Sequence, residues 1–254
     1  MNDMIGQTVL VTGSTSGIGR AVAIRLAESG AAVALHGRNA DAAQQVAEEI
    51  RRSTGSVAGV FLTDIATSDG CAELIADVIK TCPTLHAACL IAGADTLTGS
   101  SASLPFEDKL QLLYDTDVRS TLLLGRGLGN VLKRHVGSSI VTTGWDQAAT
   151  GMEGDSGELF GTIKGAVMAF TKSLAKSLAP HVRVNCVAPG WIKTAWGDQA
   201  SKEWHERAVR ECLLERWGET EDIADAVQWL ISPQASFITG QIMNINGGFR
   251  TNQK

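Results

Sequence analysis

Three glycines in the run Thr12-Gly13-Ser14-Thr15-Ser16-Gly17-Ile18-Gly19 could cradle a phosphate. Glycine lets the chain turn sharply and lets backbone N–H groups approach a pyrophosphate, which rests on the positive end of a helix. That chemistry needs a strand before the turn and a helix after it. Thr8-Val9-Leu10-Val11 is apolar and β-branched, as a buried strand is, and residues 20–28 set their apolar side chains at helical spacing. The run therefore implies a dinucleotide; a tight turn without ligand is the alternative. The second strand ends in His36-Gly37-Arg38. A carboxylate there would bind the adenosine ribose of NAD, but the first acid is Asp41 and the turn offers Arg38. A guanidinium suits a 2′-phosphate, so NADP(H) is favoured and NAD(H) stays possible. Arg38 as an ordinary solvated residue is the competing reading.

The elements that must position these groups alternate along the chain. Strand patterns fall at 8–11, 32–35, 56–61, 86–91, 139–143, 182–187 and 241–245. Helical patterns fall at 20–28, 40–52, 67–81, 105–134, 156–178, 201–214 and 220–230. Repeated strand–helix units predict an α/β fold, a single doubly wound Rossmann-type domain over 1–254 with a central parallel sheet. Ligands of such sheets lie beyond the carboxyl ends of the strands. Those ends carry Gly13, Arg38, Asp64-Ile65, Ala92-Gly93, Gly144-Trp145 and Pro189-Gly190.

Composition narrows the partners. With 44% hydrophobic residues the 254-residue chain can bury a substantial core, and its formal net charge of −5 with no basic run argues against nucleic acid. No apolar stretch is long enough to span a bilayer, and Met1-Asn2-Asp3-Met4 does not resemble a signal peptide, so a cytoplasmic protein is expected. The five cysteines are scattered and form no CxxC pair, which argues for reduced thiols and no metal site.

Taken together, the glycine turn, Asp64, Ala92-Gly93, Lys164, Pro189-Gly190 with Thr194, and the ending Thr239-Gly240-Gln241 with Asn246-Gly247-Gly248 resemble the short-chain dehydrogenase/reductase family over essentially the whole chain. The nearest likeness is to its 3-oxoacyl-carrier-protein reductase branch. The resemblance implies cofactor contacts from Gly13 to Gly19, Arg38, Asp64, Ile65, Ala92, Gly93, Lys164, Pro189, Gly190, Ile192 and Thr194. It also implies a substrate lid at about 189–217 and a homotetramer (or homodimer) built on the 105–134 helix and the Lys164 helix.

Members of the family reduce a carbonyl with a tyrosine as proton donor, a lysine four residues later and a serine after the fifth strand. Here the tyrosine position is Phe160, the serine position Trp145, and the usual asparagines are Asp117 and Ile91. The only tyrosine is Tyr114, with no lysine four residues on. A lost general acid is worth 10² to 10⁴ in rate, which need not abolish hydride transfer. Between Trp145 and Phe160 lie the acids Asp146, Glu153, Asp155 and Glu158. Asp155 or Ser156 would cap the next helix and Glu158 would suit its first turn. Asp146 is either a solvated loop acid or a desolvated carboxyl able to donate a proton. Lys164, on the face of Phe160, would bind the nicotinamide ribose and could itself donate. Trp191, Trp196, Trp204 and Trp217, with Trp145 and Phe160, would line an apolar pocket, whereas Trp229 is expected in the core. The catalytic candidates are therefore Lys164, Asp146, Trp145, Phe160 and Asp117. Three functions follow: an NADP(H)-dependent oxidoreductase acting on a carbonyl or imine, a redox-inactive dinucleotide-binding sensor or scaffold, and a dehydratase or isomerase with Asp146 or Asp117 as base.

Overall fold

A computed structural model describes residues 4–53 and 56–250; Met1, Asn2 and Asp3 of the leader reading and the outer limits of the 1–254 span lie outside them. The strands are β1 (Thr8–Thr12), β2 (Ala32–Gly37), β3 (Val57–Leu62), β4 (Leu85–Leu90), β5 (Ser138–Thr143), β6 (Val182–Pro189) and β7 (Ile242–Ile245). They form one seven-stranded sheet in the order β3-β2-β1-β4-β5-β6-β7, parallel throughout. The helices are α1 (Gly17–Glu28), α2 (Ala40–Ser53), α3 (Ser68–Thr81), α4 (Phe106–Leu113), α5 (Ser120–Leu132), α6 (Asp155–Leu178), α7 (Ala195–Gln199), α8 (Lys202–Glu211) and α9 (Thr220–Ile231).

Strand alternation sorts the core into two layers. Val9, Val11, Val33 and Leu35 point to the face covered by α1, α2 and α9, while Leu10, Ala34, Ala88 and Ile140 point to the face covered by α3, α5 and α6. This is the doubly wound architecture that alternating strands and helices imply. Strand order reverses between β1 and β4, and the two chains leaving those strands separate there. Thr12 bridges the gap: its hydroxyl accepts the N–H groups of Ile91 at 3.0 Å and Ala92 at 3.2 Å. A crevice opens above that point, where ligands of such sheets bind.

Two expected helices differ in detail. The 105–134 segment is not one α-helix: α4 passes into a π-helical turn at Tyr114–Arg119 before α5 resumes. Apolar spacing barely changes across such a turn, so periodicity does not register it. The helix expected at 201–214 stops at Glu211, because Cys212 pairs with Phe249 in an antiparallel bridge. Trp229, expected in the core, stands 40% exposed on α9.

α9 packs on α1, the helix that carries the cradle, and Arg183 on β6 pins its end. The guanidinium donates to the Leu230 carbonyl at 2.6 Å and to those of Ile231 and Ser232 at 3.2 and 3.3 Å. These are carbonyls that a helix C-terminus leaves without partners. Replacing the side chain by one without donors should therefore lower stability: Arg183→Leu is expected to reduce the unfolding free energy by about 2–3 kcal/mol in denaturant titrations.

Candidate active site

The cradle is built by close approach. Gly13 has φ +66°, and a Cβ there would lie 2.8 Å from the Ala92 Cα. A Cβ on Gly19 would strike the Gly13 carbonyl. Neither position tolerates a side chain, so α1 starts hard against the strand ends. Ser16, its N-cap, makes no side-chain capping bond, and its first turn holds no acid. The first N–H groups of α1 therefore lack a side-chain cap, which fits a pyrophosphate. Ser14 is buried, accepting the His36 N–H at 2.9 Å, and Thr15 packs over Gly37. Beyond them Arg38 is exposed and has no ion-pair partner among the described residues.

His36 had been only part of a turn pattern; it is a buried structural member of the cradle. Its Nδ1 accepts the Gly13 N–H at 3.4 Å, and its Nε2 lies 3.1 Å from the Thr63 carbonyl. With a proton on Nε2, both nitrogens are satisfied by a neutral ring. Burial pushes its pKa below the usual histidine value, partly offset by the Thr63 carbonyl, and the Arg38 charge adds to the fall.

A cavity of about 500 Å³ runs from the cradle to the ends of β4, β5 and β6. Of the expected cofactor residues, Gly13, Ser16, Gly17, Ile18, Gly19, Ala92, Gly93, Lys164, Pro189, Gly190, Ile192 and Thr194 line it. Ser14, Thr15, Arg38, Asp64 and Ile65 do not. Ile65 lies in the core, and the exposed Asp64 accepts the Ala66 N–H at 3.1 Å.

Lys164, Asp117, Trp145 and Phe160 meet on the cavity wall. The Lys164 ammonium lies 2.6 Å from Asp117 Oδ1, as an ion pair whose angle falls outside hydrogen-bond geometry. Asp117 Oδ2 accepts the Ala94 N–H at 2.8 Å. The carboxylate side chain is 1% exposed and sits on the π turn. Phe160 lies one helical turn before Lys164, and its ring meets Trp145 edge-on at 6.3 Å.

Asp146 is not the solvated loop acid of the first reading, nor does it reach the wall. It is buried; Oδ2 accepts from Asn246 Nδ2 at 3.0 Å and Oδ1 from the Gln147 N–H at 2.8 Å. Burial raises its pKa, with the Asn246 and Gln147 bonds opposing. The expected caps also differ: Gly154, at φ +85°, is the N-cap of α6, and neither Asp155 nor Ser156 caps it. Glu158 does sit in the first turn. Ser156 lines the cavity instead.

Trp191, Trp196 and Trp204 line the far wall, and Trp217 is buried behind them rather than on it. Their rings lie 5.4–6.1 Å apart. Charged residues hold them in place. Arg207 lies over Trp204 at 5.1 Å and Trp191 at 5.9 Å, and pairs with Glu211 and Glu153, each at 2.7 Å. Trp191 Nε1 donates to Glu211 at 3.1 Å. The Arg207–Glu211 pair, four residues apart on one helix, was the one signal available; Glu153 arrives from another loop. Asp95, Leu97 and Met152 also line the cavity without having been foreseen.

A glycine cradle at the switch point of a parallel sheet, with a lysine on the sixth helix facing it, defines a dinucleotide-binding oxidoreductase fold. Residues 13–250 match the family model described as Enoyl-(Acyl carrier protein) reductase, and the chain belongs to this family of short-chain dehydrogenases/reductases. It is 32% identical over 255 residues to a 3-oxoacyl-[acyl-carrier-protein] reductase of Aquifex aeolicus, covering 96% of this chain and 97% of that one. Among solved structures, 7α-hydroxysteroid dehydrogenase complexed with NADH and 7-oxo glycochenodeoxycholic acid superposes with a TM-score of 0.87 at 27% identity, over 100% of this chain and 98% of that one. A short-chain dehydrogenase from Burkholderia cenocepacia in complex with NADP gives 0.85 at 27% identity, over 97% and 98%.

His36 gives the cradle a pH limit. Its folded-state pKa is lowered, so below about pH 6.5 the unfolded chain takes up a proton that the folded chain refuses. Stability should fall as pH drops through that value towards the lowered one, and a protonated Nδ1 would also push against the Gly13 N–H. Denaturant titrations across this window are expected to show the fall, and His36→Gln should reduce it, leaving the part due to His86, whose pKa burial also lowers.

Proposed function

We propose that the protein is an NADP(H)-dependent short-chain oxidoreductase with an atypical active site, reducing a carbonyl or imine. The observation that carries the reading is the placement of Lys164 and the uncapped start of α1 on one cavity. The α1 N–H groups would hold the pyrophosphate, Arg38 a 2′-phosphate, and Lys164 the nicotinamide ribose, its ammonium having three donors. The dinucleotide supplies a hydride at its nicotinamide. The protein's own part is to orient the acceptor and exclude water, with Trp145 and Phe160 where the family keeps a serine and a tyrosine.

A non-redox base finds less support. Asp146 faces Asn246 away from the wall, and Asp117 is engaged by Lys164 and Ala94. We read 1–254 as one domain and 189–217 as its substrate lid. Exposed Phe106, Leu110, Tyr114 and Leu123 along α4, the π turn and α5 support self-association, as a homotetramer or a homodimer. All five cysteines are free and buried, which suits the reducing cytoplasm. Among the described residues no helix is long and apolar enough to cross a membrane.

Cofactor choice is tested by titrating the protein with NADPH and NADH and following nicotinamide fluorescence. NADPH should bind more tightly. Arg38→Ala should weaken NADPH binding about tenfold or more and NADH binding less than about twofold, since a hydrogen bond to a charged group is worth about 1.5–3 kcal/mol. Equal affinity of the parent protein for both removes the Arg38 argument, and no affinity for either removes the functional reading.

Catalysis is tested by restoring the missing groups. Phe160→Tyr with Trp145→Ser should raise ketone reduction by about 10- to 100-fold, short of what a fully placed acid gives. No gain with cofactor binding intact would mean that the wall has diverged beyond those two positions.

A further inference from the structure

At its substrate end the cavity is aromatic, nearly uncharged, and holds one hydroxyl without a partner. Trp145, Phe160, Trp191, Trp196 and Trp204 supply the walls, with Trp191 and Trp196 stacked at 26° between planes. The Lys164 charge is matched by Asp117. The loop acids do not reach the site: Asp146 lies off the wall, Glu153 is taken by Arg207, and Asp155 and Glu158 are exposed on α6. Asp95 stands at the rim, accepting the N–H groups of Leu97 and Thr98.

The hydroxyls sort in the same way. Thr143 donates to the Leu90 carbonyl at 3.3 Å, and Ser16 and Thr194 lie beside Gly17 at the cradle. Ser156 is left. It precedes Phe160 by four residues and Lys164 by eight, so the three share one face of α6, and all three line the cavity. Among the described residues Ser156 has no side-chain partner.

We propose that this cavity takes a neutral, planar, conjugated carbonyl compound of the quinone class, and that Ser156 donates a hydrogen bond to its oxygen. The proposal rests on the oxidoreductase reading above and names its substrate class.

The missing acid decides the chemistry. Hydride addition to a saturated ketone leaves an alkoxide about as basic as hydroxide, so without an acid acting during the transfer the step is slowed by about 10²- to 10⁴-fold. A quinone needs none. One hydride, with its electron pair, leaves the reduced nicotinamide and bonds to one quinone oxygen. The ring closes its aromatic system and the other oxygen keeps the charge as a phenolate. The quinone is reduced by two electrons, the dinucleotide oxidised by two, and water protonates the phenolate afterwards. A phenol has a pKa of about 10, so that anion is far easier to form. Aromatic walls bind a flat π system through stacking and edge contacts.

An iminium would also need no acid, but a cation needs an anionic site. The buried carboxylate on the wall, Asp117, is already neutralised by Lys164. The other one, Asp95, is exposed and turned to the N–H groups of Leu97 and Thr98, and the Arg207 guanidinium already lies over Trp191 and Trp204.

The probe is a naphthoquinone methylated at both free quinone-ring positions, which blocks thiol addition, used without oxygen on the full chain. Binding is read from tryptophan quenching and turnover from NADPH consumption. Saturable quenching is expected, with NADPH consumed at least about tenfold faster than with decalone, a saturated ketone of similar size, or with an N-methyl dihydroisoquinolinium salt. Ser156→Ala should weaken quinone binding about fivefold, one hydrogen bond's worth, and leave NADPH affinity unchanged. Ser156→Thr, which keeps a hydroxyl, should stay within about twofold of the parent. If NADPH binds but the quinone does not quench saturably, or decalone or the iminium salt is preferred, the proposal fails while the oxidoreductase reading stands. Parent-like quinone binding by Ser156→Ala overturns the role of Ser156. Absence of NADPH binding overturns both readings.

Discussion

A carboxylate and an ammonium, both largely withdrawn from water, face each other at 2.6 Å between Asp117 and Lys164, and the cavity end beyond the cradle is arranged around them. Leaving either charge buried alone would cost several kcal/mol, so the two must arrive together. α6 delivers Lys164 by regular helical spacing. Asp117 comes from the π turn, where it is buried along with Thr116 and Val118. Its second oxygen holds the Ala94 N–H, fixing the loop after β4. That loop is the one Thr12 grips from the end of β1, through Ile91 and Ala92. One ion pair thus ties the floor of the substrate end to the cradle. It also cancels the charge that a lone lysine would have placed there.

The parts of this arrangement legible in the sequence are those encoded by local spacing. Alternating strand and helix patterns give the parallel sheet, and Gly13, Gly17 and Gly19 after a β-branched strand give the cradle. Lys164 could be placed because its interval from the glycine run and from Pro189-Gly190 matches a known family. Interactions between residues distant in the chain were not legible. Asp146 and Asn246 are 100 positions apart, and nothing local to Asp146 says that its carboxylate is buried and held by Asn246. Ser156 looked like a helix cap because its residue type favours that role. Gly154 takes the place through backbone conformation alone, leaving the serine hydroxyl to the cavity. Trp229 follows the spacing of a buried residue yet falls on the outer edge of its helix.

The far wall poses a separate problem, because α7 and α8, of 5 and 10 residues, are too short to hold a shape alone. Their order must come from tertiary contacts. Arg207 supplies these by reaching Glu211 on its own helix and Glu153 on the loop before α6, while lying over two indoles. Glu211 in turn fixes the Trp191 ring through its N–H. Trp217 fills the space behind and donates to the His205 carbonyl at 3.4 Å. The tryptophans that face the cavity are therefore held from behind before any substrate enters.

A wall ordered in advance spares a ligand the entropy of ordering it. It also limits what the site can do. Rigid indoles and a phenylalanine can exclude water and align a flat molecule, but none carries a proton that can be given up at neutral pH. Lys164 is the ionisable donor on the floor, and moving its proton to a substrate would strand the Asp117 carboxylate without a counter-charge. Positioning and electrostatics are what the residues of this wall can contribute.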